Sequence, residues 1–142
     1  IGPPTESDYI AIIEATTVFD YTTLEQYAQR GHDFNLHARF IPAHERQYTN
    51  RGFVRSLAST PVLNFIVFNH PRQSNFDLNS TLQLIRWLIA HGANPDTRYR
   101  HTGSNMWNTL QTSCQLADWK PAAYPPWISA NCHKLRNALV QK

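Results

Sequence analysis

A chain of 142 residues is near the usual size of one domain, so the expectation is a single compact unit rather than two independent cores. With 42% hydrophobic and 16% charged residues the composition is globular, and the longest apolar run, around Phe65 to Phe68, is far too short to cross a bilayer. The net charge of +3 hides a split: residues 1–38 carry one base against six acids, and residues 39–142 carry twelve bases against four acids.

That asymmetry points to an acidic partner for the later region, and ten of the thirteen bases are arginine, the planar cation suited to carboxylate and phosphate contacts. Two cysteines, Cys114 and Cys132, form no disulfide framework and fit a reducing, intracellular compartment, cytoplasmic or nuclear. Ile1-Gly2-Pro3-Pro4 has neither an initiator Met nor a charged-plus-apolar leader, from which a piece of a longer protein is expected.

In chain order, the apolar pattern predicts a helix from Asp8 to Ala15. A second follows, opened by a capping box at Thr22-Thr23-Leu24-Glu25 and closed by Gly31 ahead of Asp33 and Asn35. Thr60 offers an N-cap for a third helix reaching Asn69, with Pro61 at the position where its missing N–H costs nothing. Residues 70–79 are expected as a loop. The clearest helix then begins at Asn79 or Ser80, with Ser80-Thr81-Leu82-Gln83 as its capping box and Leu82, Ile85, Leu88 and Ile89 as its stripe. It stops at Gly92, followed by Asn94-Pro95-Asp96 as turn chemistry. A further first helix opens near Gly103-Ser104-Asn105-Met106-Trp107. Pro121, Pro125 and Pro126 keep the stretch from Asp118 to Trp127 from being helical. Ile128, Cys132, Leu135 and Leu139 mark a last amphipathic helix, with Ser129 as its cap and Lys134, Arg136 and Lys142 toward water.

The repeated unit is helix, loop, helix, glycine, extended turn. Thr60-Pro61 and His91-Gly92-Ala93-Asn94-Pro95-Asp96 resemble the ankyrin repeat, whose first helix opens on Thr-Pro-Leu-His and whose second ends in a Gly-Ala-x-Asn turn. Leu63 stands for the family's His, Phe65 for its Ala, and Asn105-Met106 for its Thr-Pro. Gly31 and Gly92 lie 61 positions apart where one repeat takes about 33, so additional chain is placed in loops at 39–59 and 70–79. The resemblance implies an all-α, ankyrin-like stack of about three helical hairpins with long inserted loops and a C-terminal capping helix. In it 7–38 is the first repeat, 39–59 an inserted finger loop, 60–100 the second repeat, and 101–142 the third repeat and cap.

No catalytic spacing is present: there is no H-E-x-x-H, C-x-x-C, G-x-S-x-G, Walker loop or G-x-G-x-x-G, and neither enzymatic activity nor a cofactor is expected. Cys114, Cys132 and His133 offer three zinc-type ligands without a fourth, and packing of the two thiols as small apolar groups is the better reading. His91 reads as a helix C-terminal residue suited to the dipole, Trp87 as core, and Trp107 as either core or a concave-face anchor.

The insert carries Arg39, Arg46, Arg51 and Arg55, interleaved with Phe40, Tyr48 and Phe53. In the ankyrin arrangement it neighbours a second basic finger, Arg98, Tyr99, Arg100 and His101, and the two converge beside the concave face. The function expected is a protein-binding module for an acidic or phosphorylated peptide or protein surface. Its contacts are Arg39, Arg46, Tyr48, Arg51, Phe53, Arg55, Arg98, Tyr99, Arg100 and Trp107. Nucleic-acid binding by the same basic surface is the alternative, supported by a pI near 9.1, and packing within a larger protein or self-association is the third.

Overall fold

The computed structural model describes residues 5–35, 60–99, 102–119, 122 and 124–140, and the structural statements below concern these. Among them are six α-helices and no strand. The helices are α1 (Glu6–Thr17), α2 (Tyr21–Gln29), α3 (Val62–Asn69), α4 (Leu78–Ala90), α5 (Met106–Trp119) and α6 (Pro126–Val140), with a 3-10 turn at His70–Arg72. The all-α expectation holds. None of the helices is long and apolar enough to cross a membrane.

The helices pair as hairpins, α1 on α2, α3 on α4 and α5 on α6. The first helices pack in series, α1 on α3 and α3 on α5, while α4 also packs on α6. The reason α3 is central can be read from its side chains: Val62 through Val67 are all buried, so its first six residues are covered whichever way they face. Its β-branched content gives it modest helix propensity, and tertiary burial supplies the stability that propensity lacks. One contiguous core results, running from Ile12 and Leu24 through Ile66 and Leu88 to Leu110 and Leu135.

Trp87 ties the first hairpin to the second. It is packed on that core with its ring edge-on to Tyr21 (5.9 Å) and Phe34 (5.8 Å) and stacked on His91 at 3.8 Å. His91 is the C-cap of α4 and its Nδ1 lies 2.7 Å from the Trp87 carbonyl oxygen, in keeping with a helix-terminal role.

The helix starts differ from expectation in a consistent way. Asp20, not Thr22, caps α2: its carboxylate accepts from the Thr23 amide (3.1 Å) and hydroxyl (2.6 Å). Asp77, not Asn79 or Ser80, caps α4, accepting from the Ser80 amide (3.0 Å) and hydroxyl (2.5 Å). A charged acceptor opposite the positive end of the helix outcompetes the hydroxyl, which becomes its donor. Pro61 is itself the N-cap of α3, with Phe65 N donating to its carbonyl at 3.0 Å, so Thr60 stands outside the helix. The last helix starts at Pro126 rather than at Ser129, because proline suits the first turn, and the Ser129 hydroxyl instead donates to Asp118. α1 is longer than predicted and opens on a reciprocal Thr5/Asp8 capping box.

The glycine joints behave as the residues require. Gly31 and Gly92 have φ of 74° and 100°, the left-handed conformation that ends a helix. Behind them, His32 N donates to the Tyr27 carbonyl (3.0 Å) and Ala93 N to the Leu88 carbonyl (2.9 Å). The turn from α1 into α2 makes the same kind of bond, Asp20 N to the Ala15 carbonyl at 2.8 Å, but its left-handed residue is Phe19 with φ of 56°. That conformation costs about 1–2 kcal/mol for a residue with a Cβ. Packing of the Phe19 ring edge-on to His70 at 5.4 Å offsets the strain.

Candidate functional site

After Gly92 the chain leaves α4, and the described residues on either side of 100–101 are bonded to one another as a finger that leads into α5. The finger's base is pinned by Met106 N donating to the Pro95 carbonyl (3.1 Å). Nearer its tip, Tyr99 N donates to the Ser104 carbonyl (2.8 Å) and Gly103 N to the Tyr99 carbonyl (2.7 Å). Arg98 Nη1 caps the Gly103 carbonyl at 2.7 Å, and Asn64 of α3 donates from Nδ2 to the Ser104 carbonyl at 2.8 Å. Asn64 is 2% exposed, so its amide is a buried anchor that fixes the finger over α3.

Between this finger, α3 and α5 lies an open groove of about 330 Å³. Asn64, Phe65 and Phe68 form its α3 wall, Thr109 and Thr112 its α5 wall, and Tyr99, Thr102 and Ser104 its finger side, with Thr60 at one margin. Among the described residues the lining is aromatic and hydroxyl- or amide-bearing and includes no carboxylate. Phe68 is the one residue of the apolar run that α3 leaves exposed, at 39%.

The described residues that flank the arginine-rich segment, Asn35 and Thr60, lie at this region. On its N-terminal side, Asn35 Nδ2 donates to the Gly92 carbonyl (2.6 Å), and Asn35 Oδ1 accepts from Asn94 N (2.5 Å) and Thr97 Oγ1 (3.1 Å). The turn after α2 is thereby joined to the root of the finger after α4. On its C-terminal side, Thr60 borders the groove together with Tyr99.

Of the ten predicted contact residues, Arg98, Tyr99 and Trp107 are described, whereas Arg39, Arg46, Tyr48, Arg51, Phe53, Arg55 and Arg100 lie outside the described residues, as does His101. Arg98 is exposed on the finger and Tyr99 lines the groove. Trp107 is 37% exposed but is turned roughly 160° around α5 from Thr109, on the flank away from the groove. Sequence reasoning missed Asn64, Phe68, Thr109 and Thr112. The available signal for Phe68 was an aromatic at the end of a helix whose preceding positions already fill its buried faces.

Two other clusters bring polar or sulfur-bearing side chains together. Asp118, Ser129 and His133 join α5 to α6: His133 Nε2 lies 2.9 Å from Asp118 Oδ2, and the Ser129 hydroxyl also donates to that carboxylate. These partners hold the Asp118 carboxyl below its usual range, Ser129 contributing most and then His133. The serine proton points at the carboxylate and not at the imidazole, so the histidine does not activate Ser129 as a nucleophile. Among the described residues no group of three His, Cys, Asp or Glu side chains converges as a metal site. Cys114 and Cys132 are buried free thiols at the α5–α6 interface. Comparisons of the chain with protein-family models, with curated proteins and with solved structures return no match.

Proposed function

We propose that the chain is a divergent ankyrin-like, non-catalytic binding module, working inside the cell, that holds an acidic or phosphorylated segment of a protein partner in the groove between α3, α5 and the 95–106 finger. The observation that carries this reading is the position of the two described residues that flank the insert: Asn35 is bonded to the finger's root and Thr60 borders the groove together with Tyr99. The groove supplies the rest of what such a partner needs. Phe65, Phe68 and Tyr99 give apolar contacts, Thr109 and Thr112 give polar anchors, and no described residue of the lining is an acid that would repel a carboxylate or phosphate.

The test is a fluorescence-anisotropy titration with labelled glutamate-rich and phosphoserine peptides. Arg98→Glu and Phe68→Ala are each expected to weaken binding about tenfold or more, the first by losing a charge-assisted contact and the second by losing an anchor. Raising salt weakens the complex without abolishing it, since the aromatic contribution is unscreened. Unchanged affinity in both variants removes the groove from the account. Preference for single-stranded DNA, with a steep log-log salt dependence, transfers the basic surface to nucleic acid instead.

A further inference from the structure

Arg72 closes the 3-10 turn behind α3 and is half-buried, with its guanidinium over the rings of Phe68 (3.8 Å) and Tyr124 (5.5 Å). Its Nη1 donates to the Phe68 carbonyl (2.7 Å), one of the last carbonyls of α3, where a helix runs out of amide donors and a basic side chain serves in their place. The same nitrogen donates to Ser113 Oγ (2.5 Å) on α5. Nη2 is buried without a hydrogen-bond partner, and no described carboxylate pairs with the side chain. A guanidinium stays charged at every physiological pH, so two rings, a carbonyl and a hydroxyl hold a positive charge that no described anion neutralises.

That charge backs the groove's exposed aromatic. Phe68 lines the groove, and the guanidinium covers one face of its ring while the side chain stays 39% exposed. Because Arg72 also bridges to Ser113, next to Thr112 of the α5 wall, its place is fixed relative to both walls. A ring's edge carries the positive end of its quadrupole, and a cation stacked on one face raises the potential on the uncovered side. A charged group that settles on that uncovered side lies roughly 7–8 Å from the guanidinium, within one Debye length and with hydrocarbon rather than water between them. At such a separation an anion is attracted and a lysine or arginine is repelled. Arg98 differs: it is exposed on the finger, where water and salt weaken its attraction.

We propose that Arg72, acting through the ring it backs, determines the specificity of the groove: the partner residue seated against Phe68 carries a carboxylate or a phosphate, and a basic residue at that position is rejected. The inference rests on the groove being the binding site, and it adds which position of the ligand is read and by which sign of charge. Arg72 touches Phe68 and not the ligand, so it is a positioning residue whose charge is felt across the ring. Phe68, Tyr124 and α5 shield the guanidinium from solvent, so its preference outlasts added salt better than that of Arg98. Discrimination of this kind works mainly by repulsion, since a like charge over the ring costs more than a neutral group there.

The experiment titrates the full chain with the labelled glutamate-rich peptide after replacing each glutamate in turn by phosphoserine, glutamine or lysine. In the wild type one position is expected to rank phosphoserine and glutamate above glutamine and glutamine above lysine, with glutamate about tenfold or more tighter than lysine, and to keep that ratio at raised salt. Arg72→Met keeps the stem without the charge and is expected to cut the ratio at that position about fivefold or more, leaving the other positions as they were; Arg72→Lys restores most of it. A purely structural role would lower affinity at all positions alike. Phe68→Ala is expected to weaken every peptide and to remove the dependence on Arg72. If Phe68→Ala weakens binding while Arg72→Met leaves every ratio unchanged, the inference is overturned and the groove stands. If no peptide binds, or neither variant changes binding, the groove falls and the inference with it. Where Arg72→Met fails to fold, the wild-type scan decides, because a scan in which no position is ranked by charge more steeply than the rest overturns the proposal.

Discussion

His70 shows how one buried side chain sets a pH limit on the whole fold. Its ring lies between α1 and α4, with Nδ1 3.3 Å from Thr81 Oγ1 and Phe19 edge-on. Nε2 is buried with no hydrogen-bond partner, the Thr16 carbonyl favouring the charged form only weakly. Burial therefore pushes the imidazole down to about 4 from an ordinary value of 6.5. Above pH 6.5 the ring is neutral in folded and unfolded chains alike and stability is complete. As pH falls from 6.5 toward 4 the unfolded chain takes up a proton that the folded one refuses, and about 3 kcal/mol is lost. His32, also held low by burial, acts with the same sign. Urea unfolding at stepped pH is expected to show this loss in the wild type and a flatter profile in His70→Asn. An identical slope in the variant would place the titration elsewhere.

At the scale of single elements, the helix starts separate what a hydroxyl does from what a carboxylate does. Asp77 accepts both the amide and the hydroxyl of Ser80, and the Ser80 side chain does not itself cap α4. Asp77→Ala is therefore expected to lower the melting temperature by about 2–5 °C, and Ser80→Ala by clearly less. Equal losses, or a larger one at Ser80, would restore the serine as the cap; differential scanning calorimetry on the two variants decides. The Asp20 and Asp77 carboxyls are both held below their usual range, by Thr23 and Ser80 respectively. Their contribution is present above the ordinary carboxylate value and is lost only as pH falls through the lowered one. This is a more acidic window than that of His70.

These starts also show how legible an element is in its own sequence. The stripe of α4 and its glycine stop could be read directly, because periodicity and a positive φ are properties of adjacent residues. Its first residue could not, because Asp, Asn and Ser within four positions are all competent caps and only the backbone path chooses among them. α3 was legible as an apolar helix, yet that Phe68 alone would face a groove depended on α5 and the finger being where they are.

For the molecule as a whole, the continuous core implies one cooperative unit. Residues of all six described helices join a single buried cluster, and α3 touches both neighbouring first helices. Far-UV circular dichroism and tryptophan fluorescence are expected to report the same urea midpoint, although Trp107, Trp119 and Trp127 all sit in the third hairpin. Separated midpoints would mean that the hairpins unfold one at a time, as longer repeat arrays can.

The sequence by itself determined what depends on short stretches of chain: the helical class, the repeated hairpin grammar, the left-handed joints at Gly31 and Gly92, and the opposed charge of the first 38 residues and the rest. The tertiary structure alone decided which distant groups meet. Asn35 reaches Gly92 across 57 positions, Asn64 reaches Ser104 across 40, and Arg72 reaches Ser113 across 41. No local pattern encodes such pairings, because each exists only where the stacking of hairpins brings two backbones to hydrogen-bond distance. For the same reason Trp107, suitable by residue type, turns away from the groove, while Phe68 and Asn64, which the sequence had assigned to no site, line it.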